Sequence, residues 1–224
     1  MTQPAQLNAE LARLERFARN HPALEDLSPG ASRRWFDAFA RYAPDRALAL
    51  AEQQLEKNPR HLGPWIQRAE ALDLLGERQA ALELLRTVTR MAPDPRGAIA
   101  HADLLASLGG PHEEVTATLN LARRSPDLAS FADQLEFIAT KSLANIGGNF
   151  VGQAVERMQA LVTKPELAGV ERSAVRRRLG ITLLHRAQPG DGARALPHLE
   201  ASQASARDPL DRDLVLALTN LARR

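Results

Sequence analysis

The chain contains no cysteine in its 224 residues. Without thiols it can build no disulfide scaffold, thiolate zinc site, iron–sulfur cluster or Cys nucleophile. Aromatic residues make up only 4% of the chain, and Val plus Ile number 13. Sheets draw on β-branched and aromatic side chains, so this shortage excludes a sizeable β-core. Nowhere do 18 apolar residues run together, so no membrane span is expected. Residues 1–22 are amphipathic and mixed in charge, without the apolar run of a signal peptide. The cytoplasm is therefore the expected compartment.

What is present is Leu and Ala in abundance, and the composition reads as all-α. A chain of this length buries roughly 70% of its unfolded surface and folds without covalent staples. The charge balance combines a pI near 9.5 with a net charge of only +2. The two agree because 26 of the 29 cationic residues are Arg, with three Lys and one Tyr, so little titrates before pH 10 or so. A charge of +2 spread over the chain is no concentrated basic stripe, which argues against nucleic acid as a partner. The preference for Arg over Lys, with so much Ala, fits a GC-rich bacterial genome.

Punctuation organises the chain. Prolines follow helical stretches at Pro22, Pro59, Pro93, Pro126, Pro165 and Pro209, spaced 37, 34, 33, 39 and 44 apart. Between them fall Pro44-Asp45, Gly76, Gly109-Gly110-Pro111, Gly147-Gly148 and Pro189-Gly190-Asp191-Gly192. Proline lacks the helical N–H and glycine supplies the left-handed cap, so these are physical stops alternating between major and minor. Apolar stripes at helical spacing fill the intervals: Trp65, Ile66, Ala69, Leu72 in one, Ala81, Leu84, Leu85, Val88 in the next. The pattern predicts twelve helices, over 6–20, 31–43, 45–57, 62–75, 77–91, 96–108, 112–124, 128–146, 149–163, 167–187, 192–206 and 210–223. Short loops make consecutive helices antiparallel hairpins, and a period in the thirties makes the hairpins a solenoid.

Residues 62–95 resemble a tetratricopeptide repeat (TPR): Trp65 in the tryptophan place, Ala69 in the small-residue place, Gly76 at the turn, Ala81 at the helix crossing and Pro93 at the close. The unit 96–127 keeps Ala102, Gly109 or Gly110, Leu119, Ala122 and Pro126. Segments 31–61 and 128–208 read as degenerate repeats and 210–223 as a capping helix. The resemblance implies an all-α, right-handed solenoid of TPR-like hairpins over 1–224. It also implies a non-catalytic scaffold or adaptor whose concave groove holds a protein or peptide.

Motifs for other chemistry are lacking. There is no GxxxxGK[ST], GxGxxG or GxSxG, and His112-Glu113-Glu114-Val115-Thr116 has Thr where a zincin needs its second His. No catalytic residue, metal or cofactor is expected.

If the resemblance carries over, Ile66, Gln67, Glu70 and Asp73 face the groove from one unit, and Ala100, His101 and Leu104 from the next. Glu70 and Asp73 would favour a cationic or amphipathic segment. Arg172, Arg176 and Arg177 on one helix form a candidate patch for an anionic partner, with a solvated, salt-bridged helix face as the simpler reading. Leu214, Val215, Leu218 and Leu221, if left uncovered, imply a homo-oligomer or a further domain. Two alternatives remain open: a helical accessory region of a bacterial enzyme complex, which the resemblance allows because such regions precede glycosyl- and sulfotransferase domains, and nucleic-acid binding through Arg172–Arg178.

Overall fold

The computed structural model describes residues 36, 39, 40, 43–91, 94–205 and 209–223, with the backbone alone at 205 and 209–213. Among the described residues there are ten α-helices and no strand. They are α1 Pro44–Lys57, α2 Leu62–Leu74, α3 Arg78–Met91, α4 Pro95–Ser107, α5 His112–Ala122, α6 Ala132–Ile146, α7 Asn149–Thr163, α8 Arg172–Arg186, α9 Asp191–Ser205 and α10 Pro209–Ala222. The expected helices 6–20 and nearly all of 31–43 lie outside the described residues.

Local chemistry sets the boundaries. Helix α1 opens with Pro44, whose missing N–H costs nothing at that position, and carries Asp45 in its first turn and Lys57 in its last. Helix α2 ends in a Schellman motif. The Glu77 N–H donates to the Leu72 carbonyl at 2.9 Å and the Gly76 N–H to the Asp73 carbonyl at 3.0 Å, with Gly76 at φ +85°. Gly109 and Gly110 end α4 in the same way, donating to Ala106 and Leu105. The major stops take different forms: Pro59 and Pro126 stand in turns, Pro165 in an irregular segment, and Pro209 opens α10, while Pro22 and Pro93 lie outside the described residues.

The chain divides into two compact units, Met1–Gly97 and Ala98–Arg224. In the first, α1 packs on α2 and α2 on α3. Phe36, Phe39, Ala47 and Ala71 form a core with Ala40, Leu48 and Leu50 against it. Arg68 Nε of α2 pairs with Glu52 of α1 at 3.2 Å.

In the second unit α5 packs on α6, and each later helix packs on the next, while α8 also touches α6 and α10. The core is Phe137, Val155, Met158, Leu161, Val175, Leu179, Leu183, Ala195, Leu199 and Val215. Each large member contributes roughly 1.5–3 kcal/mol by leaving water. Helices α8 and α9 meet closely at Gly180, where a Cβ would stand 2.7 Å from Leu199 Cγ and Cδ2.

Two sequence expectations need correction. The stretch 128–146 is not one helix: a 3₁₀ turn at Leu128–Ser130 precedes α6. The helix expected over 167–187 begins only at Arg172, because the backbone before it is held by distant partners. The Asp133 carboxylate accepts the Ala168 N–H at 2.9 Å, the Ala168 carbonyl accepts the Gln134 N–H at 3.1 Å, and the Arg172 guanidinium donates to the carbonyls of Val162 and Pro165. Lys164 Nζ closes the clip at 2.5 Å from Asp133 Oδ1. Backbone groups satisfied this way have no need of a helical turn.

Candidate functional site

Helices α4, α6 and α8 of the second unit are tied by a ladder of polar side chains. Lys141 Nζ of α6 donates to Asp103 Oδ1 of α4 at 2.6 Å and to Ser107 Oγ at 2.8 Å. One turn on, Asn145 Nδ2 donates to the Ala106 carbonyl at 2.6 Å, and Asn145 Oδ1 accepts from Arg178 of α8 at 2.6 Å. At the edge of the same helix, Ser142 Oγ lies 3.1 Å from His112 Nδ1 of α5.

The ladder is buried at its centre and wet at its rim. The Lys141 side chain is 12% exposed and that of Asp103 is 47% exposed, while Ser107 and Asn145 are exposed. Burial lowers the Arg178 guanidinium pKa from its usual value, and the negative charge of Asp103 opposes that shift. Arg178 Nε is buried without a hydrogen bond among the described residues. The face therefore offers fixed charges of both signs beside exposed polar groups, and Ile146 adds a half-exposed apolar side chain. Such a surface suits recognition of an extended segment. Among the described residues no three His, Cys, Asp or Glu side chains come together to hold a metal.

The residues expected to line a groove divide by burial. Ile66 and Gln67 are buried in the first unit, where Glu70 and Asp73 are half-buried and Asp73 Oδ1 lies 3.3 Å from Arg78 Nε. In the second unit His101 and Leu104 are buried and Ala100 is half-buried. Glu70, Asp73 and Ala100 thus keep surface to offer a partner. The arginine patch also divides. Arg172 spends its guanidinium on backbone carbonyls, whereas Arg176 and Arg177 are half-buried on α8. On α10 the apolar stripe splits: Val215 is buried and Leu218 packs on the core, but Leu214 and Leu221 are more than half exposed.

Sequence reasoning passed over Asp103, Lys141 and Asn145. The signal was present in the spacing: Asp103 and Lys141 are 38 apart, Ala106 and Asn145 39, Lys141 and Arg178 37. Those separations fall within the range of the proline intervals, and the residues stand on alternate helices. Among the described residues no helix is long and apolar enough to cross a membrane. No protein-family model, curated protein or solved structure matches the chain.

Proposed function

We propose that the chain is a solenoid of TPR-like hairpins that acts without catalysis, as an adaptor holding a partner protein or peptide. The observation that carries this reading is the ladder from Asp103 through Lys141 and Asn145 to Arg178, which aligns alternate helices side by side and gives them one shared polar face. Alternate helices side by side are what stacked hairpins require, and stacking leaves a long face free for recognition. The half-buried Glu70 and Asp73 contribute acidic surface in the first unit, which favours a cationic or amphipathic segment.

The test is affinity purification with mass spectrometry from the native host. Wild type is compared with Ser107→Arg/Asn145→Ala and with Glu70→Lys, each checked for unchanged melting. A partner bound by wild type and lost by either variant supports the adaptor reading, and if that partner is an enzyme the chain is its accessory region. A partner bound equally by all three moves recognition off these faces. Turnover of a small molecule by the purified chain alone would overturn the non-catalytic reading.

A further inference from the structure

We propose that residues 164–171 form a strap, latched on Asp133, that opens and recloses as one unit while α6, α7 and α8 stay folded. Ala168 is held on both of its backbone groups by the first turn of α6. Its N–H donates to Asp133 Oδ2 at 2.9 Å, and its carbonyl accepts the Gln134 N–H at 3.1 Å. Gln134 stands where a helical N–H has no carbonyl one turn back to reach, so the strap supplies its acceptor. Asp133 is 8% exposed and spends its other oxygen on Lys164 Nζ, at the start of the strap. Gly169 completes the fit: at φ +77° it comes so near that a Cβ would stand 2.9 Å from Phe131 Cα.

The strap is bound by far less than the helices it joins. None of residues 164–171 is fully buried, and Leu167 and Val170 are only partly buried against the core, whose Val155, Val175 and Leu179 are at most 1% exposed. Opening forfeits two partial apolar burials and a few polar contacts that water replaces, which is the profile of a local excursion. The ends of the strap need not move. Arg172, the first residue of α8, donates to the Val162 carbonyl of α7, so one arginine side chain bridges the two helix ends. Opening breaks only its second bond, to the Pro165 carbonyl at 2.8 Å. Fully extended, a segment of this length reaches about 26 Å, so it has slack to lift off without unwinding either helix. Open, it uncovers the start of α6 and the core surface beneath Leu167 and Val170. Access to that end of the core is what the strap controls.

The experiment is native-state hydrogen exchange of the full chain, followed by NMR across a series of low urea concentrations. It compares the Ala168 and Gln134 amides with the core amides of Val155 and Leu179. The two strap amides should share one degree of protection, roughly a hundredfold or more below the core, with little dependence on urea. Gly169→Ala forces a left-handed alanine against Phe131 and should speed both strap amides by the same factor, about tenfold or more. Lys164→Met, at an exposed position where the fold should survive, should speed both by about threefold. The proposal is overturned if the strap amides show the protection and urea dependence of the core, because the strap then opens only by global unfolding. It is equally overturned if the substitutions speed one amide without the other, or neither, because the strap is then not a single unit latched on Asp133.

Discussion

Lys141 Nζ stands 2.6 Å from Asp103 Oδ1 across 38 residues of chain, and the two partners are unequally buried, at 12% and 47% exposure. The pair therefore breaks asymmetrically. Removing the Asp103 carboxylate leaves an ammonium largely out of water with, among the described residues, Ser107 alone to accept from it. Removing the ammonium leaves a carboxylate that water can solvate.

Asp103→Ala should accordingly cost more stability than Lys141→Met, roughly 2 against 1 kcal/mol. The coupling in a double-mutant cycle should be about 1 kcal/mol, limited by the exposure of Asp103. Urea unfolding of the two singles and the double measures all three quantities. Equal costs for the singles would mean that Lys141 is as well solvated as its partner.

Asp191 offers a sharper case. It is 2% exposed and holds Arg186, itself 14% exposed, through both carboxylate oxygens. Asp191→Asn keeps the size of the side chain but leaves the nearly buried Arg186 charge without its ion-pair partner, with only the more distant Glu156 to oppose it. The expected cost is roughly 3 kcal/mol, read as a lowered denaturation midpoint with an unchanged m-value.

Two glycines separate steric crowding from backbone strain. At Gly180 a Cβ would stand 2.7 Å from Leu199, so Gly180→Ala must displace a core side chain, at about 1–3 kcal/mol. At Gly76 nothing lies within 4 Å of the added carbon, and the cost is that of a left-handed conformation alone, about 1 kcal/mol. Thermal unfolding of both variants should place Gly180→Ala at or below Gly76→Ala. A cavity-relieving substitution, Leu199→Val, should recover part of the loss only for Gly180→Ala.

Much of the helix pattern was legible because its causes are local. Pro44, Gly76, Gly109, Gly147 and Gly190 act within a few residues of themselves, and the helix ends beside them fall within a residue or two of expectation. The segment 164–171 was not legible, because what holds it is Asp133, more than thirty positions earlier, whose role no window around Leu167 could disclose. The site residues divide on the same line. Helical periodicity marks a face as apolar or polar, but Gln67 and His101 are polar residues that tertiary packing has buried. The ladder residues, by contrast, are joined across 33 to 39 positions of chain, beyond the reach of any local window.

The pH dependence of stability follows from three shifted groups. The Lys164 ammonium and the Ala168 N–H hold the Asp133 carboxyl below its ordinary value of 3.8, and the Arg186 guanidinium does the same for Asp191. Each carboxyl binds its proton more weakly folded than unfolded, so its stabilisation is present above the ordinary value and is lost as pH falls through the folded one. His198 is also depressed, by burial and by Arg176 and Arg194, from an ordinary value of 6.5. Between the folded and ordinary values the unfolded chain binds the extra proton, so stability declines as pH falls below about 6.5. Urea midpoints measured from about pH 3 to pH 8 should thus show two separate declines on acidification. His198→Gln should flatten the upper decline and leave the lower, whereas Asp191→Asn should shrink the lower and leave the upper. A single decline abolished by neither substitution would mean that other groups govern the acid stability of this fold.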